Sequence, residues 1–306
     1  MVPVPMAPLN GDSKGDHVSC LIDEILACCA ELSEFPDLKP CAKVNKAFEK
    51  LVGLCSQCPG EDVVTKILSD PKTVAISPHL RQLCSEGEYE LESQWADKIY
   101  RCKTLKEANE MLQTFPYYSN YIDLVRMELN ALTSVAPNFS LRTFAILGSG
   151  PLPLTSICIS QQVDDAHDNI ACHNVDQDAL AISSSKKLCR GLGLTGSKMS
   201  FQCADAGSTD VDLSTFDVVY LAALVGGSSK HKQKILADVV KRMRPGGLVV
   251  LRSAHSLRRL LYPVVEVGKV MEAVGLKVLL VVHPYNHVIN SVVIAAAVEI
   301  PCACYP

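Results

Sequence analysis

Apolar positions repeat at helical spacing through the first half of the chain. Val18, Leu21, Ile22, Ile25, Leu26, Cys29 and Leu32 fall on one stripe, and Val44, Ala47, Phe48, Leu51, Val52 and Cys55 repeat it, ending near Pro59-Gly60. Glu61 to Ser69 predicts a short helix stopped by Asp70-Pro71. Ser77-Pro78, a good N-cap and first-turn pair, opens a longer helix carrying Leu80, Leu83, Leu91, Trp95 and Ile99, with Gly87 as a weak point midway. Thr104 caps a helix through Leu112, and Phe115-Pro116 turns the chain into another over Tyr117–Leu132.

Beyond Ala136-Pro137-Asn138 the pattern alternates. Strand-like runs are Thr143–Leu147, Ile170–Val175, Met199–Cys203, Phe216–Ala222, Leu248–Arg252, Lys277–Val282 and Ser291–Val298. Helical spacing marks Leu152–Gln162, Asp178–Leu188, Lys230–Met243 and Leu257–Met271. Runs of Val, Ile and Leu without alternation belong to strands buried on both faces, and strand-helix alternation builds a parallel, doubly wound sheet. His283 to Asn290 is too short for a crossover helix, so the last two strands form an antiparallel hairpin at one edge. The expected architecture is α/β: a Rossmann-like, doubly wound, mostly parallel sheet, with an N-terminal all-helical domain. The expected divisions are a disordered tail (1–16), a helical domain (17–136), the Rossmann-like domain (137–300) and a short tail (301–306).

One turn organises this second half. In RTFAILGSGPLPLTS an apolar strand meets Gly148-Ser149-Gly150 and then a helix start, where outward-pointing N–H groups hold a negatively polarised ligand. The sequence departs from the dinucleotide pattern because Pro153 replaces its third glycine. Pro151 and Pro153 also remove N–H donors that a pyrophosphate would use, so a nucleoside without phosphates fits better. S-adenosylmethionine is such a ligand, which makes the expected sheet one of the class I S-adenosylmethionine-binding type. Asp176, ending HNVDQD, suits the two ribose hydroxyls, and Asp205, in FQCADA, suits an adenine amine; either aspartate alone reads better as a helix cap, and it is their order with the glycine turn that favours the nucleoside. Leu221 and Ala222, ending FDVVYLAAL, border the crevice at the carboxyl edge of the sheet.

Composition narrows the class. The 306 residues carry a net charge of −4, which leaves no nucleic-acid footprint; the basic runs Lys230–Lys234 and Lys241–Arg244 read as one solvated helix face. No apolar run approaches the roughly 18–20 residues of a membrane span, and the opening MVPVPMAPLNGDSKGD lacks the regions of a signal peptide. Fourteen cysteines at mostly apolar positions, without a secretory signal, point to a reducing, cytoplasmic setting. Cys55-Ser56-Gln57-Cys58 is a lone pair without a second half at zinc spacing, and Cys302-Ala303-Cys304 sits in a tail, so no metal is expected.

Longer blocks say more. FPYYSNY (Phe115–Tyr121), GSGPLPLTS (Gly148–Ser156), FDVVYLAALVG (Phe216–Gly226), LRSAH with LYP (Leu251–His255, Leu261–Pro263) and VINSVV (Val288–Val293) together resemble the nicotianamine synthase family. The resemblance runs from about Ser77 to Val298 and implies repeated aminocarboxypropyl transfer. Three S-adenosylmethionine molecules condense into nicotianamine, releasing three methylthioadenosines, with no cofactor beyond that substrate. It assigns Glu92, after Leu91 in the long helix, to take a proton from the attacking α-amine, and Tyr118 to orient that amine. Taken alone, Glu86, Glu88, Glu90 and Glu92 read as an acidic solvated face, and only the resemblance selects Glu92. Tyr117, Tyr121, Arg252, His255 and Tyr262 are expected around the substrate, with Arg252 either gripping a carboxylate bidentately or serving as a buried structural arginine. Gly148, Ser149, Gly150, Pro151, Asp176 and Asp205 hold the nucleoside. The partner is a small molecule, and a homo-oligomer stays open. Rival readings are a single aminocarboxypropyl transfer to another amine, a methyltransferase, and a non-catalytic metal-binding protein.

Overall fold

The structure is a computed structural model that describes residues 11–298 except 138–140, 164–169, 195 and 227–228. The Cys302/Cys304 tail and residues 1–10 lie outside the described residues. The opening helix begins earlier than the Val18 stripe: α1 spans Gly11–Ser33. It is followed by α2 (Ala42–Ser56), α3 (Glu61–Ser69), α4 (Pro71–Tyr100), α5 (Leu105–Gln113) and α6 (Tyr118–Val135).

The stripes read from the sequence do bury. Ile25, Leu32, Leu51, Ile67 and Leu80 are fully enclosed in one cluster, which also takes in Leu257, Leu260 and Leu261 from the far half of the chain. The long helix starts at Asp70, not Ser77. Asp70 accepts from the N–H groups of Lys72 (2.9 Å) and Thr73 (3.1 Å), and Pro71 occupies the first turn, where its missing N–H costs nothing. Pro78 then lies inside the helix, and burial of Leu80, Leu83, Cys84, Ala96 and Ile99 along α4 outweighs the one backbone bond it removes. Gly87 has a packing role: a Cβ there would sit 2.3 Å from Cζ of Phe48, so the ring of α2 lies directly on the backbone of α4.

The remaining elements are β1 (Thr143–Leu147), α7 (Leu154–Gln162), β2 (Ala171–Asp176), α8 (Ala179–Gly191), β3 (Met199–Cys203), β4 (Val218–Leu221), α9 (Ser229–Val240), β5 (Leu248–Ser253), α10 (Lys269–Ala273), β6 (Leu276–Val282) and β7 (Ser291–Ala297). Among the described residues the strands form one sheet in the order β3-β2-β1-β4-β5-β7-β6. The first five strands pair in parallel, while β7 runs antiparallel between β5 and β6, which gives the expected edge hairpin. The fold is Rossmann-like α/β. Its strand order reverses between β1 and β4, and the crevice for a ligand opens there, beyond the strands' carboxyl ends.

Two expectations fail locally. The helix over Leu257–Met271 is instead a 3₁₀ turn at Ser256–Leu260 and a separate short α10, because Pro263 cannot continue a helix and Gly268 adopts φ +105° just before Lys269. The basic run on α9 is not uniformly solvated. Lys232 is buried, and its Nζ donates to the carbonyls of Ala222 (3.0 Å), Ala223 (2.8 Å) and Arg252 (3.2 Å), tying the ends of β4 and β5 together. Burial, followed by the Arg252 charge, pulls its ammonium down to about 7.

A second tie joins the helices to the sheet. Glu128 of α6 accepts from Nε and Nη2 of Arg252 at 2.8 and 3.0 Å, with both side chains almost wholly enclosed. Removing one partner strands the other charge in the interior. Glu128→Ala is therefore expected to cost about 3–5 kcal/mol of unfolding free energy in urea titrations.

Candidate functional site

The ends of β1, β2 and β4 and the helices above them enclose a cavity of about 640 Å³. Its floor is the turn Gly148–Pro151 with Asp176, Asp205 and Ala222. Its roof comes from α4 and α6 and includes Glu88, Glu92, Tyr117 and Tyr121. Floor and roof meet closely. Gly150 adopts φ +68°, and a Cβ there would lie 2.6 Å from Oε2 of Glu92, so the carboxylate rests directly over the glycine turn. No residue larger than glycine leaves that carboxylate in place.

The turn does not present its N–H groups to a ligand, contrary to the expectation from sequence. Gly148 and Ser149 both donate to the carbonyl of Val175 (2.8 and 3.1 Å), and Gly150 donates to Oδ2 of Asp176 (2.9 Å). Pro151 and Pro153 have none to offer. The anion-holding arrangement of a dinucleotide site is thus absent, as the two prolines suggest. Acidic groups face the space instead: Glu49, Glu88, Glu92, Asp176, Asp178 and Asp205. Arg252 also borders it, but its charge is matched by Glu128. A ligand carrying positive charge is what such a cavity favours.

Two of these carboxyls are strongly perturbed. Burial raises Glu92 well above the ordinary carboxylate range, and the negative charges of Glu88 and Asp176 add to it; Tyr121 and Arg252 act in the opposite sense. Glu88 is pushed up to about 7 by burial, against a hydrogen bond from the Tyr262 hydroxyl and the pull of Arg252. The Arg252 guanidinium also lies 5.5 Å from the centre of the Tyr121 ring.

Most of the residues singled out from sequence line this cavity: Gly148, Ser149, Gly150, Pro151, Asp176, Asp205, Ala222, Glu92, Tyr117, Tyr121, Arg252 and Tyr262. Three do not. The Tyr118 hydroxyl donates to Oε1 of Gln161 on α7 (3.0 Å), on the outer side of α6. Helical geometry explains this, because Tyr117 and Tyr121 are four apart and share a face while Tyr118 is turned about 100° away. Leu221 points into the opposite core, as strand alternation requires of the neighbour of Ala222. His255 stacks on His283 with ring centres 4.2 Å apart and shares a 3.2 Å hydrogen bond with Tyr285. Of the two readings of Arg252, the structure shows the buried structural arginine: Nε and Nη2 both donate to Glu128, so that edge of the guanidinium is not free for a substrate carboxylate.

Sequence reading missed Glu88, which lies among charged neighbours that look solvated. Its signal is the four-residue step to Glu92 on one helix face. It also missed Tyr89, whose hydroxyl donates to Asp178 at the cap of α8 and so fastens α4 over the sheet.

A family model described as nicotianamine synthase protein matches residues 14–301. Nicotianamine synthase 2 of Oryza sativa subsp. japonica is 34% identical over 93% of this chain and 84% of its own. Probable nicotianamine synthase 4 of Arabidopsis thaliana is 36% identical over 90% and 82%. The chain belongs to the nicotianamine synthase family.

Solved structures agree on the fold. A substituted form of MtNAS in complex with S-adenosylmethionine superposes with a TM-score of 0.73 at 20% identity, covering 91% of this chain and 98% of that one. MtNAS in complex with MTA and tNA gives 0.73 at 18% identity, covering 93% and 98%. As a nicotianamine synthase family member this chain is a transferase, and the cavity under α4 is its candidate active site.

The raised Glu88 carboxyl has a consequence for folding. Unfolded, it ionises near 4.5; folded, near 7, so between those values the unfolded state binds fewer protons and stability falls as pH rises. Glu88→Gln lacks this slope. Denaturant titrations are expected to show the variant gaining stability relative to the parent as pH is raised from 4.5 to 7.

Proposed function

We propose that this chain makes nicotianamine by joining three S-adenosylmethionine molecules. The observation that carries the reading is the Glu92 carboxylate, seated in the interior above Gly150 and well above its usual pKa. The adenosine portion lies on the floor. Asp176 keeps lone pairs for the ribose hydroxyls after accepting from Gly150 and from the Asp178 N–H, and Asp205 keeps one oxygen for the adenine amine after accepting from Gly207 (2.7 Å). The acidic lining attracts the sulfonium.

Sulfonium activates each of its three attached carbons, so the position of the nucleophile decides which one reacts. An α-amine held under Glu92 loses its proton to that carboxylate, whose proton affinity burial raises toward that of the amine, with its reference pKa of about 7.7–8.0. The nitrogen lone pair then bonds to the γ-carbon of a second molecule. The carbon–sulfur bond breaks, and its electron pair stays on sulfur in methylthioadenosine. Repetition followed by an intramolecular attack closes the azetidine ring. Tyr121, which faces Glu92 and carries the Arg252 charge on its ring, takes the orienting role first given to Tyr118.

The reading needs no cofactor beyond S-adenosylmethionine. It takes residues 17–136 as the lid and 137–300 as the nucleoside-binding part of one enzyme acting in the cytoplasm. Among the described residues no group of three or more His, Cys, Asp or Glu side chains is arranged to hold a metal. No described helix is long and apolar enough to cross a membrane.

Purified protein given S-adenosylmethionine alone is expected to release methylthioadenosine together with a tricarboxylate amine. S-adenosylhomocysteine plus a methylated acceptor, or turnover only with an added amine, overturns the reading. Glu92→Gln is expected to lower turnover by about 10²–10⁴-fold. Calorimetry should show S-adenosylmethionine still bound with little change in affinity, and a wild-type rate in this variant excludes Glu92 as the base.

A further inference from the structure

Each S-adenosylmethionine brings a carboxylate into a cavity whose charged lining is mostly acidic. Among the described residues that lining holds one arginine, Arg252, and its charge is matched by Glu128. A further cation would serve badly here, because it would draw down the proton affinity of Glu92 and repel the sulfonium. Neutral N–H donors bind a carboxylate without either effect.

Two asparagine amides at one end of the cavity meet that need. Asn290 borders the space, is only 7% exposed, and its Nδ2 has no hydrogen-bond partner among the described residues. An enclosed amide nitrogen without an acceptor costs free energy, and no contact in the fold offsets it. Asn120 of α6 borders the same space, on the helix face it shares with Tyr117 and Tyr121. Its Oδ1 accepts from the N–H of Ile289 (3.1 Å), the residue before Asn290. A backbone N–H can only donate, so this bond fixes which end of the Asn120 amide is oxygen and turns its Nδ2 away from Ile289.

The sheet sets where this pair stands. Asn290 immediately precedes β7, whose Ser291 lies opposite Ser253 at the end of β5, so it sits at the carboxyl edge of the parallel strands. Along the order β1-β4-β5-β7 it is three strand spacings from the glycine turn, about 14 Å at roughly 4.8 Å each. A nucleoside on the ends of β1–β3 lies on the other side of that turn. Its aminocarboxypropyl arm extends only about 5 Å from sulfur, at ordinary bond lengths near 1.5 Å. A donor seated there leaves the β5–β7 end of the cavity to a second molecule. We propose that Asn120 and Asn290 bind the carboxylate of the accepting molecule through their amide N–H groups, and so hold its amine toward Glu92. This rests on the nicotianamine-forming reading of the site.

The test uses the whole protein. Initial rates of methylthioadenosine release are measured against S-adenosylmethionine concentration, alongside thermal unfolding and calorimetry with methylthioadenosine, which carries the nucleoside but no carboxylate. Asn120→Asp keeps the oxygen that accepts from Ile289 and exchanges the donor for a second, negatively charged oxygen. It is expected to raise the half-saturating concentration by about tenfold or more, the loss that one charge-assisted hydrogen bond brings, with methylthioadenosine affinity little changed. Asn290→Leu removes an amide nitrogen that has no partner in the fold. Its half-saturating concentration is expected to rise several-fold while it melts at or above the parent's temperature, the pattern of a group kept for function and not for stability. The proposal is overturned if both variants saturate like the parent. It is also overturned if Asn120→Asp saturates at a lower concentration, since the amide then meets an ammonium and not a carboxylate. A fall in methylthioadenosine affinity as large as the kinetic change overturns it too, by placing the amides in the nucleoside site. An Asn290→Leu protein that melts below the parent or fails to fold assigns that amide to the fold and removes it from the site; Asn120→Asp then decides alone. A parent protein that forms no methylthioadenosine sinks the functional reading itself, a result distinct from all of these.

Discussion

A carboxylate held over a glycine turn, with no ion pair of its own among the described residues, is the constraint on which the rest of this structure depends. Glu92 can lie where it does only because Gly150 has no Cβ, and Gly150 is fixed by the bond from its N–H to Asp176. The nearest permanent positive charge, Arg252, is already committed to Glu128. Burial and like charges therefore act on Glu92 unopposed by any ion pair of its own, and its proton affinity rises. On the proposed reading, the same acidic lining that raises Glu92 attracts a cationic sulfonium, so one electrostatic arrangement serves both binding and chemistry.

Neither half of the chain makes this site alone. The sheet supplies a nucleoside-sized floor of a type that hosts many reactions, and fold by itself says little about which one. Specific chemistry comes from α4 and α6 being locked above it. Three contacts do that work: the buried Glu128–Arg252 pair, the Tyr89 hydroxyl on Asp178, and the apolar cluster shared between α1–α4 and Leu257–Leu261. Lys232 acts from below, holding the ends of β4 and β5 through three backbone carbonyls and so setting the level of the floor.

Much of the fold was legible because period and punctuation agreed. Buried parallel strands show as unbroken Val, Ile and Leu runs, and the strands fall within a residue or two of those runs. The long helix was harder to place, since Ser77-Pro78 carries the local signature of a helix start while the actual cap is Asp70 seven residues earlier; packing overrode the local signal. The site was legible in its parts. Glycine turn and aspartates follow from order along the chain, whereas only helical spacing tells that Tyr117 and Tyr121, and not Tyr118, share the face that lines the cavity. The pairing of Arg252 with Glu128 joins residues 124 apart and leaves no local trace. Glu88 was hidden for a similar reason, because a run of glutamates looks solvated until a roof and floor are seen to close over one side of it.

The most direct measurement is a crystal structure with two S-adenosylmethionine molecules, or one and an unreactive amine-bearing analogue, bound in the cavity. The account predicts the α-amine of the second ligand within about 2.6–3.2 Å of a Glu92 carboxylate oxygen, facing the γ-carbon of the first. A second ligand seated away from Glu92, with the methyl group of the first turned toward it, contradicts the account.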